Sequence, residues 1–297
     1  MKELRLAAVP LFSGRDPQEN LIKITRYAKE AAEKGANILL TPEASLTGYF
    51  VREKEALSIE ADSQPVMSVI DLAREISLII SFGFMEIAVS LSADDGGKAA
   101  FYMTQLITDG TQTQVYRKTH LGCLERGVLS RGDELPVYET DSAVIGTHLC
   151  WESHIPDIGT VFRRKGAEIF LVPYASGMSG EDCRNVWSRH LPARAWDNGV
   201  YVVACNALRY KRPYSAAADR DPSGPQQEVI GGGCAVYDPK GILIASDFSL
   251  EEKLLICDLS PDGLQRNYPD NDMRHISYYD HRRPELYRIE TEVGDII

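Results

Sequence analysis

The sequence predicts an α/β protein in which two mixed sheets pack face to face with helices outside. Three observations carry this. Short apolar runs rich in β-branched residues alternate with segments of helical periodicity, and they do so in both halves of the chain. Each half also holds a closely spaced strand pair of hairpin type. No linker, composition step or low-complexity tract divides the 297 residues, so 1–297 reads as a single domain, with a charged C-terminal tail from about 266 to 297 that lacks clear periodicity.

In the first half, residues 4–11 are strand-like. Asp16-Pro17 opens a helix with Leu21, Ile24, Tyr27, Ala28, Ala31 and Ala32 at helical spacing and Gly35 as its stop. Residues 37–41 form a short strand of the buried type that runs directly into Pro42-Glu43. Ser63 is placed to cap a helix over 65–76, a strand follows at 78–84, and 101–108 with 114–117 reads as a hairpin across Asp109-Gly110. The glycine-rich, charged stretch to Asp133 is an ordered loop.

In the second half, residues 143–150 form an apolar strand that ends in Cys150, with polar residues and Pro156 behind it. Residues 157–165 are helical and close at Gly166, and 168–172 is a strand feeding the polar loop 173–180. Residues 185–198 are helical, with Pro192 kinking or splitting them. A strand at 200–205 precedes an exposed loop over 210–227. Residues 232–236 and 242–245 form a hairpin through Asp238-Pro239-Lys240-Gly241, and 254–258 is the last strand.

Composition narrows the partners. There are 32 Lys and Arg against 43 Asp and Glu, a net charge of −11 with no basic block, which argues against nucleic acid or an anionic membrane as the main partner. No apolar run approaches the roughly 20 residues needed to span a bilayer. The start of the chain lacks the apolar stretch and cleavage site of a signal peptide, which points to the cytoplasm. The six cysteines, at 123, 150, 183, 205, 234 and 257, include no C-x-x-C pair and read as reduced thiols, not as a disulfide framework or a zinc site.

Glu43, Lys118 and Cys150 each stand just past an expected strand. If those strands are parallel neighbours, the three side chains meet at one rim, where the turn into a helix favours a thiolate. Their chemistry is complementary. A thiol needs a base to become a nucleophile, and a carboxylate of raised pKa can take that proton and return it to a leaving amine. A nearby ammonium can stabilise an oxyanion together with the backbone N–H of Trp151. Each residue also has a plain structural reading: an acid at a helix start, a solvated loop charge, a core thiol. His120, His148 and His154 could act as acid–base groups, though a hydrogen-bonded structural role is the better reading of His148. His275 and His281 have no partner at metal-ligand spacing.

Here the chain resembles the carbon–nitrogen hydrolase (nitrilase) superfamily. The matching stretches are Thr41-Pro42-Glu43 through Gly48-Tyr49, Tyr116 to Leu121 with Glu125-Arg126, and Gly146 to Cys150-Trp151-Glu152. Weaker echoes lie at 194–198, 232–241 and 282–287. The resemblance implies a four-layer α-β-β-α sandwich that assembles as a homodimer or larger homo-oligomer. It implies Glu43 as general base, Lys118 as oxyanion stabiliser, Cys150 as nucleophile forming a thioester, and Glu125 as the residue that orients the lysine or substrate. No metal or cofactor is required.

The expected partner is a small-molecule amide or nitrile. Cys150-Trp151-Glu152 followed by Pro156 sits near the nitrilase signature, whereas true nitrilases run longer, so hydrolysis of a small carboxamide is the leading reading and nitrile hydrolysis the alternative. Members that cut N-carbamoyl amino acids carry arginines just after the cysteine; Ser153 and His154 stand there instead, which disfavours that substrate. Pro10 replaces a glutamine common in the family. The pocket wall is expected from Tyr49, Trp151, the 174–180 loop (Tyr174, Ala175 and Ser176 first) and the 210–227 excursion. Two readings of another class are a catalytically silent interaction protein and a redox-sensing thiol protein with Cys123 or Cys183 as resolving thiol.

Overall fold

Two mixed six-stranded sheets organise the described residues of the computed structural model, which are 1–89, 99–210, 228–264 and 283–286. The first sheet holds β1 (Leu4–Ala8), β2 (Ile38–Leu40), β3 (Ile79–Val89), β4 (Ala99–Thr108) and β5 (Thr113–Arg117), with β14 (Leu255–Leu259) on its far edge, in the order β14-β1-β2-β3-β4-β5. The second holds β6 (Val137–Glu139), β7 (Val144–Thr147), β8 (Ile169–Tyr174), β9 (Tyr201–Asn206), β12 (Cys234–Tyr237) and β13 (Leu243–Asp247), in the order β13-β12-β9-β8-β7-β6. In each sheet three central strands run parallel, β1-β2-β3 and β7-β8-β9, and the outer pairings are antiparallel. A separate ribbon pairs β10 (Leu208–Tyr210) with β11 (Val229–Gly231).

Three apolar clusters define the layers. Leu6, Ile38 and Leu40 of the first sheet meet Ile145, Leu171 and Val203 of the second, so the two sheets face each other across one core. Ala7, Leu39, Ile80 and Phe82 turn the other way, onto α1 (Pro17–Glu33) and α3 (Gln64–Ile76) through Ile24, Ala28, Val69 and Leu72. On the far side, Phe170, Val202 and Ala204 lie under α4 (Pro156–Arg164) and α5 (Gly180–Asn198), through Phe162, Trp187 and Leu191. This alternation of inward and outward residues along buried strands produces the expected α-β-β-α order. Short helices α2 (Lys54–Leu57) and α6 (Pro261–Leu264) sit outside it. Among the described residues no helix is long and apolar enough to cross a membrane.

Several boundaries move for identifiable reasons. β1 stops at Ala8 rather than at residue 11, because Pro10 has no N–H to continue the ladder. Ser63 stands at the N-cap of α3, but its hydroxyl makes no capping bond. The β3–β4 ladder runs on to Val89 and Ala99, well past residue 84. The charge of Glu86 hid that extension; in the fold this carboxylate is buried and receives N–H groups from Arg117 at 2.9 and 2.5 Å. β8 continues through Pro173 and Tyr174, paired with Cys205 and Asn206, so the polar loop begins two residues later than expected. α5 starts at Gly180 and is not split by Pro192; Trp187, Leu191 and Ala195 on its buried face hold both sides of the proline to one sheet. β6 and the β10–β11 ribbon were not expected. Residues 211–227 of the expected loop, and nearly all of the tail from 266 with His275 and His281, lie outside the described residues.

Candidate active site

Backbone bonds fix the segments that carry Glu43 and Lys118, and a left-handed turn carries Cys150. After β2, Thr41 N–H donates to Ser81 O at 2.9 Å and Leu46 N–H to Gly83 O at 2.8 Å, pinning the turn that carries Glu43 onto β3. A side chain at Gly83 would stand 2.5 Å from Ala44 N, so only glycine lets that turn lie so close. Lys118 follows β5; its N–H donates to Met103 O at 2.9 Å and its carbonyl accepts from Gly132 N–H at 2.8 Å. Cys150 opens a 3-10 turn over Cys150–His154 with φ of 48°, a left-handed conformation that is rare for a residue other than glycine.

The expected geometry therefore needs two corrections. The strand before the thiol ends at Thr147, three residues short of Cys150. The three carrier strands are not parallel neighbours: β3 and β4 lie between β2 and β5, and β7 belongs to the other sheet. The groups are brought together across the sandwich, from two sheets rather than along one rim.

Lys118 is the centre of the cluster. Its ammonium donates to Glu43 Oε1 and to Glu125 Oε1, each at 2.8 Å, and the three residues are only 1–2% exposed. Tyr49 donates its hydroxyl to the same Glu125 oxygen at 2.9 Å, and Gly122 N–H donates to Glu125 Oε2 at 2.6 Å. Burial lifts the Glu43 carboxyl to about 7; Lys118 opposes the lift, and Glu125 and Glu152 add to it. Burial pushes the Cys150 thiol up to about 12, helped by Glu43 and opposed by Lys118. Lys118 stays protonated: burial works against its charge, but Glu43, Cys150 and Glu125 raise its pKa well above the usual lysine value. Cys150 therefore lies within the electrostatic reach of both Glu43 and Lys118. The thiol is thus neutral at rest, contrary to a turn that favours the thiolate, and it would need a base to act as a nucleophile.

A fourth carboxylate, Glu152, ties the two halves of the site. Completely buried, it accepts from Leu149 N–H at 2.7 Å just before the thiol. It also accepts from Thr119 N–H at 2.8 Å, Thr119 Oγ1 at 2.7 Å and His120 N–H at 3.0 Å, just after the lysine. The Tyr116 hydroxyl adds 2.8 Å contacts to both its oxygens. Burial would raise this carboxyl, yet the hydrogen bonds from His120, Leu149 and Thr119 with the charge of Lys118 hold it below the usual range, so it stays ionised. Its place in Cys-Trp-Glu was visible in sequence; the distance it spans was not.

The other candidates are dispersed. Trp151 is partly exposed beside His154, ring centres 5.3 Å apart. Tyr174 is buried, donating to Ser153 Oγ at 2.7 Å and leaning on Trp187. Ala175 offers its backbone to Cys150, and Ser176 N–H donates to Asn206 Oδ1 at 2.8 Å. His148 is buried between Phe162 and Phe170, and among the described residues neither of its ring nitrogens has a hydrogen-bond partner; burial lowers it to about 4. His120 is half exposed, and its ring accepts from or donates to Thr119 Oγ1 at 2.8 Å. His154 stacks on His190, a residue the sequence did not single out. Cys123 is exposed, and Cys183 is buried against Asn206. Among the described residues no group of three or more His, Cys, Asp and Glu is arranged to hold a metal ion.

A cavity of about 790 Å³ opens onto Glu43, Ala44 and Tyr49 and extends past Phe50 and Leu124 to Phe12, Leu208, Arg209 and Tyr210. Of the expected wall residues it includes Tyr49 and Tyr210, the first residue of the 210–227 excursion, and not Trp151, Tyr174, Ala175 or Ser176. Arg209, from the ribbon, lies with its guanidinium carbon 5.7 Å from the centre of the Tyr49 ring.

Known proteins share this arrangement of chain. The sequence is 27% identical over 300 residues to N-carbamoylputrescine amidase of Solanum lycopersicum, covering 96% of this chain and 93% of that one. It is 27% identical to citrullinase of Francisella tularensis, covering 97% and 98%. Among solved structures, the NitN amidase of Neterenkonia sp. AN1 superposes with a TM-score of 0.73 at 24% identity, over 97% of this chain and 99% of that one, which shows the fold. The sequence model described as carbon-nitrogen hydrolase matches residues 5–267. The chain belongs to the carbon–nitrogen hydrolase family, whose members of this kind are enzymes acting on non-peptide C–N bonds.

Proposed function

We propose that this enzyme hydrolyses the carbon–nitrogen bond of a small carboxamide through a thioester on Cys150. The sulfur attacks the carbonyl carbon while Glu43 takes the thiol proton, and Glu43 then passes that proton to the departing ammonia or amine. Lys118, with the backbone N–H of Trp151, stabilises the oxyanion of each tetrahedral intermediate, and Glu125 and Tyr49 hold the lysine in place. Water activated by Glu43 opens the thioester, giving the acid and restoring the thiol.

The observation that carries this reading is Lys118 bridging Glu43 and Glu125 at 2.8 Å each, beside a thiol that burial keeps neutral. A carboxyl near 7 is poised to take a proton and return it at neutral pH, which an ordinary exposed glutamate is not. Nitrile hydrolysis through a thioimidate would use the same three groups, and the chain is 27% identical to a bifunctional nitrilase/nitrile hydratase of Nicotiana tabacum, covering 91% of this chain and 80% of that one. We also read the chain as one domain acting in the cytoplasm as a homo-oligomer.

The test is ammonia release measured across matched amides and nitriles, with mass spectrometry of the trapped protein. The amide reading expects release from amides, faster than from nitriles, and an acyl adduct on Cys150. Release confined to nitriles would transfer the reading to the alternative. No release, with peroxide-dependent disulfide formation instead, would mark a redox-sensing thiol, and neither would mark a silent interaction protein.

A further inference from the structure

Two thiols that the hydrolytic reading does not use lie against each other. Cys205 on β9 and Cys234 on β12 are direct cross-strand partners, and the Cys234 thiol donates to Cys205 Sγ at 3.6 Å. Asn206 N–H donates to Gly233 O at 2.9 Å, one residue beyond each cysteine, so the two face each other as a non-hydrogen-bonded pair of the antiparallel ladder. Such pairs bring their Cα atoms to about 4.5 Å, inside the range of roughly 4.4–6.8 Å that a disulfide spans. Both side chains are fully buried and belong to the core between the sheets, together with Leu171, Val203 and Val236. Burial and the neighbouring sulfur hold the Cys234 thiol well above the usual cysteine value, so it is neutral at rest. Asn206, the next residue along β9, fastens the loop after β8. It accepts from Ser176 N–H at 2.8 Å and donates to Ser176 O and Gly232 O at 3.2 Å each. The sulfur pair is therefore one residue from the bonds that hold the segment after Ala175, whose backbone meets Cys150.

We propose that Cys205 and Cys234 are an oxidative modification site, at which hydrogen peroxide converts the two thiols to a disulfide that ties β9 to β12. The inference does not depend on the amide-hydrolase reading. In the first step one sulfur, as thiolate, attacks a peroxide oxygen and the O–O bond breaks. That sulfur becomes a sulfenic acid, and the released hydroxide takes up the thiol proton as water. In the second step the other sulfur attacks the sulfenic sulfur, the S–S bond forms, and the hydroxyl leaves with the second thiol proton as water. Two thiols and one peroxide give one disulfide and two waters, with two electrons passing from sulfur to oxygen. Burial selects the oxidant. Hydrogen peroxide is little larger than water, whereas a low-molecular-weight disulfide must leave half of itself on a sulfur inside a close-packed core. Scarcity of thiolate makes the reaction slow at neutral pH and faster as pH rises. The tie closes a segment of 29 positions and so restricts the unfolded chain, which stabilises the strands that hold the Ser176 loop.

The experiment treats the native full-length chain with excess hydrogen peroxide, maps its cysteines by mass spectrometry without reduction, and records thermal melts. A peptide pair linked through Cys205 and Cys234, two hydrogens lighter than its reduced parts, is the expected product. The melting temperature should rise by roughly 5–10 °C against Cys205→Ala and Cys234→Ala chains treated alike, and fall back on reduction. Neither variant should form the link, and where a variant does not fold, the peptide map of the native chain with its melt before and after reduction decides alone. Glutathione disulfide should leave the pair of the folded chain unlinked, and a link formed as fast by it overturns the choice of oxidant. Thiols that stay reduced at 205 and 234 while Cys123 or Cys150 is oxidised overturn the proposal. So does a link through Cys123, Cys150 or Cys183 in place of this one, or a link at 205 and 234 that raises no melting temperature. Ammonia release from amides by the untreated chain is measured separately, and its absence would sink the hydrolase reading while leaving this one standing.

Discussion

Two buried polar clusters border the cysteine turn, and they are built on opposite electrostatic terms. On one side, Lys118 sits between Glu43 and Glu125, so burial is opposed by charges of contrary sign and the groups stay ionisable. On the other, Ser153 lies 3.0 Å from His190 Nε2 and accepts from the Tyr174 hydroxyl at 2.7 Å, with no acid among these three. Burial, with His154 and Arg194 nearby, drives His190 down to about 4, whereas burial drives Glu43 up to about 7. Burial thus leaves a proton acceptor poised near neutrality in the first cluster and only neutral hydrogen-bonding groups in the second. Histidine is the residue most often expected to move protons, yet here the glutamate has the suitable pKa.

The largest effect expected from this contrast is the loss of the proposed nucleophile, which both clusters border. Cys150→Ala should lower ammonia release by several orders of magnitude while leaving the melting temperature near that of the native chain. Glu43→Gln should come next, with a comparable loss and a diagnostic pH profile. Glu43 must be ionised to accept the thiol proton, and its pKa is raised, so native kcat/KM should fall about tenfold per unit below pH ~7 and level off above it. The residual activity of Glu43→Gln should lack that acid limb. A limb that survives the substitution would assign the titration to another group and remove the asymmetry.

The sequence made one half of this contrast legible and hid the other. Strand and helix identities followed from periodicity, and the ordered motifs around Glu43, Lys118 and Cys150 located the charged cluster, because each stands where an apolar run stops abruptly. Their route to one point was not legible: pairing across two sheets is a long-range property, and the expectation of parallel neighbours failed on it. The neutral cluster was invisible for a related reason. His190 lies 37 positions from Ser153 and on a helix whose interior Pro192 obscured its extent. Glu86 and Glu152 show the same limit, since a buried, fully bonded carboxylate reads in sequence as a surface charge.

A smaller effect sharpens the boundary between the clusters. Glu152 spans from the lysine loop to the thiol turn, and its charge is one of those that lift Glu43. Tyr116, Thr119, His120 and Lys118 face it from the neighbouring loop and strand. Glu152→Gln keeps the shape, removes the charge, and turns one acceptor toward Leu149 N–H into a donor. We expect kcat/KM to fall by roughly tenfold and the acid limb to move to lower pH, read from the pH profile. A limb that stays in place alongside lost activity would leave Glu152 as a strap without electrostatic influence.

The smallest effect should come from the neutral side. Ser153→Ala deprives the Tyr174 hydroxyl of its 2.7 Å acceptor and His190 of its 3.0 Å partner, deep in the layer beneath α5. Leaving buried groups unsatisfied costs about 1–2 kcal/mol, which for a chain of this size is a drop of roughly 2–4 °C in melting temperature. Because neither His190 nor Tyr174 titrates near neutrality, the acid limb should remain where Glu43 puts it. Thermal melts and pH profiles of this one variant therefore separate the two clusters. Stability lost with the limb unmoved fits a scaffold around the thiol, while a displaced limb would mean that the serine, tyrosine and histidine take part in setting the base.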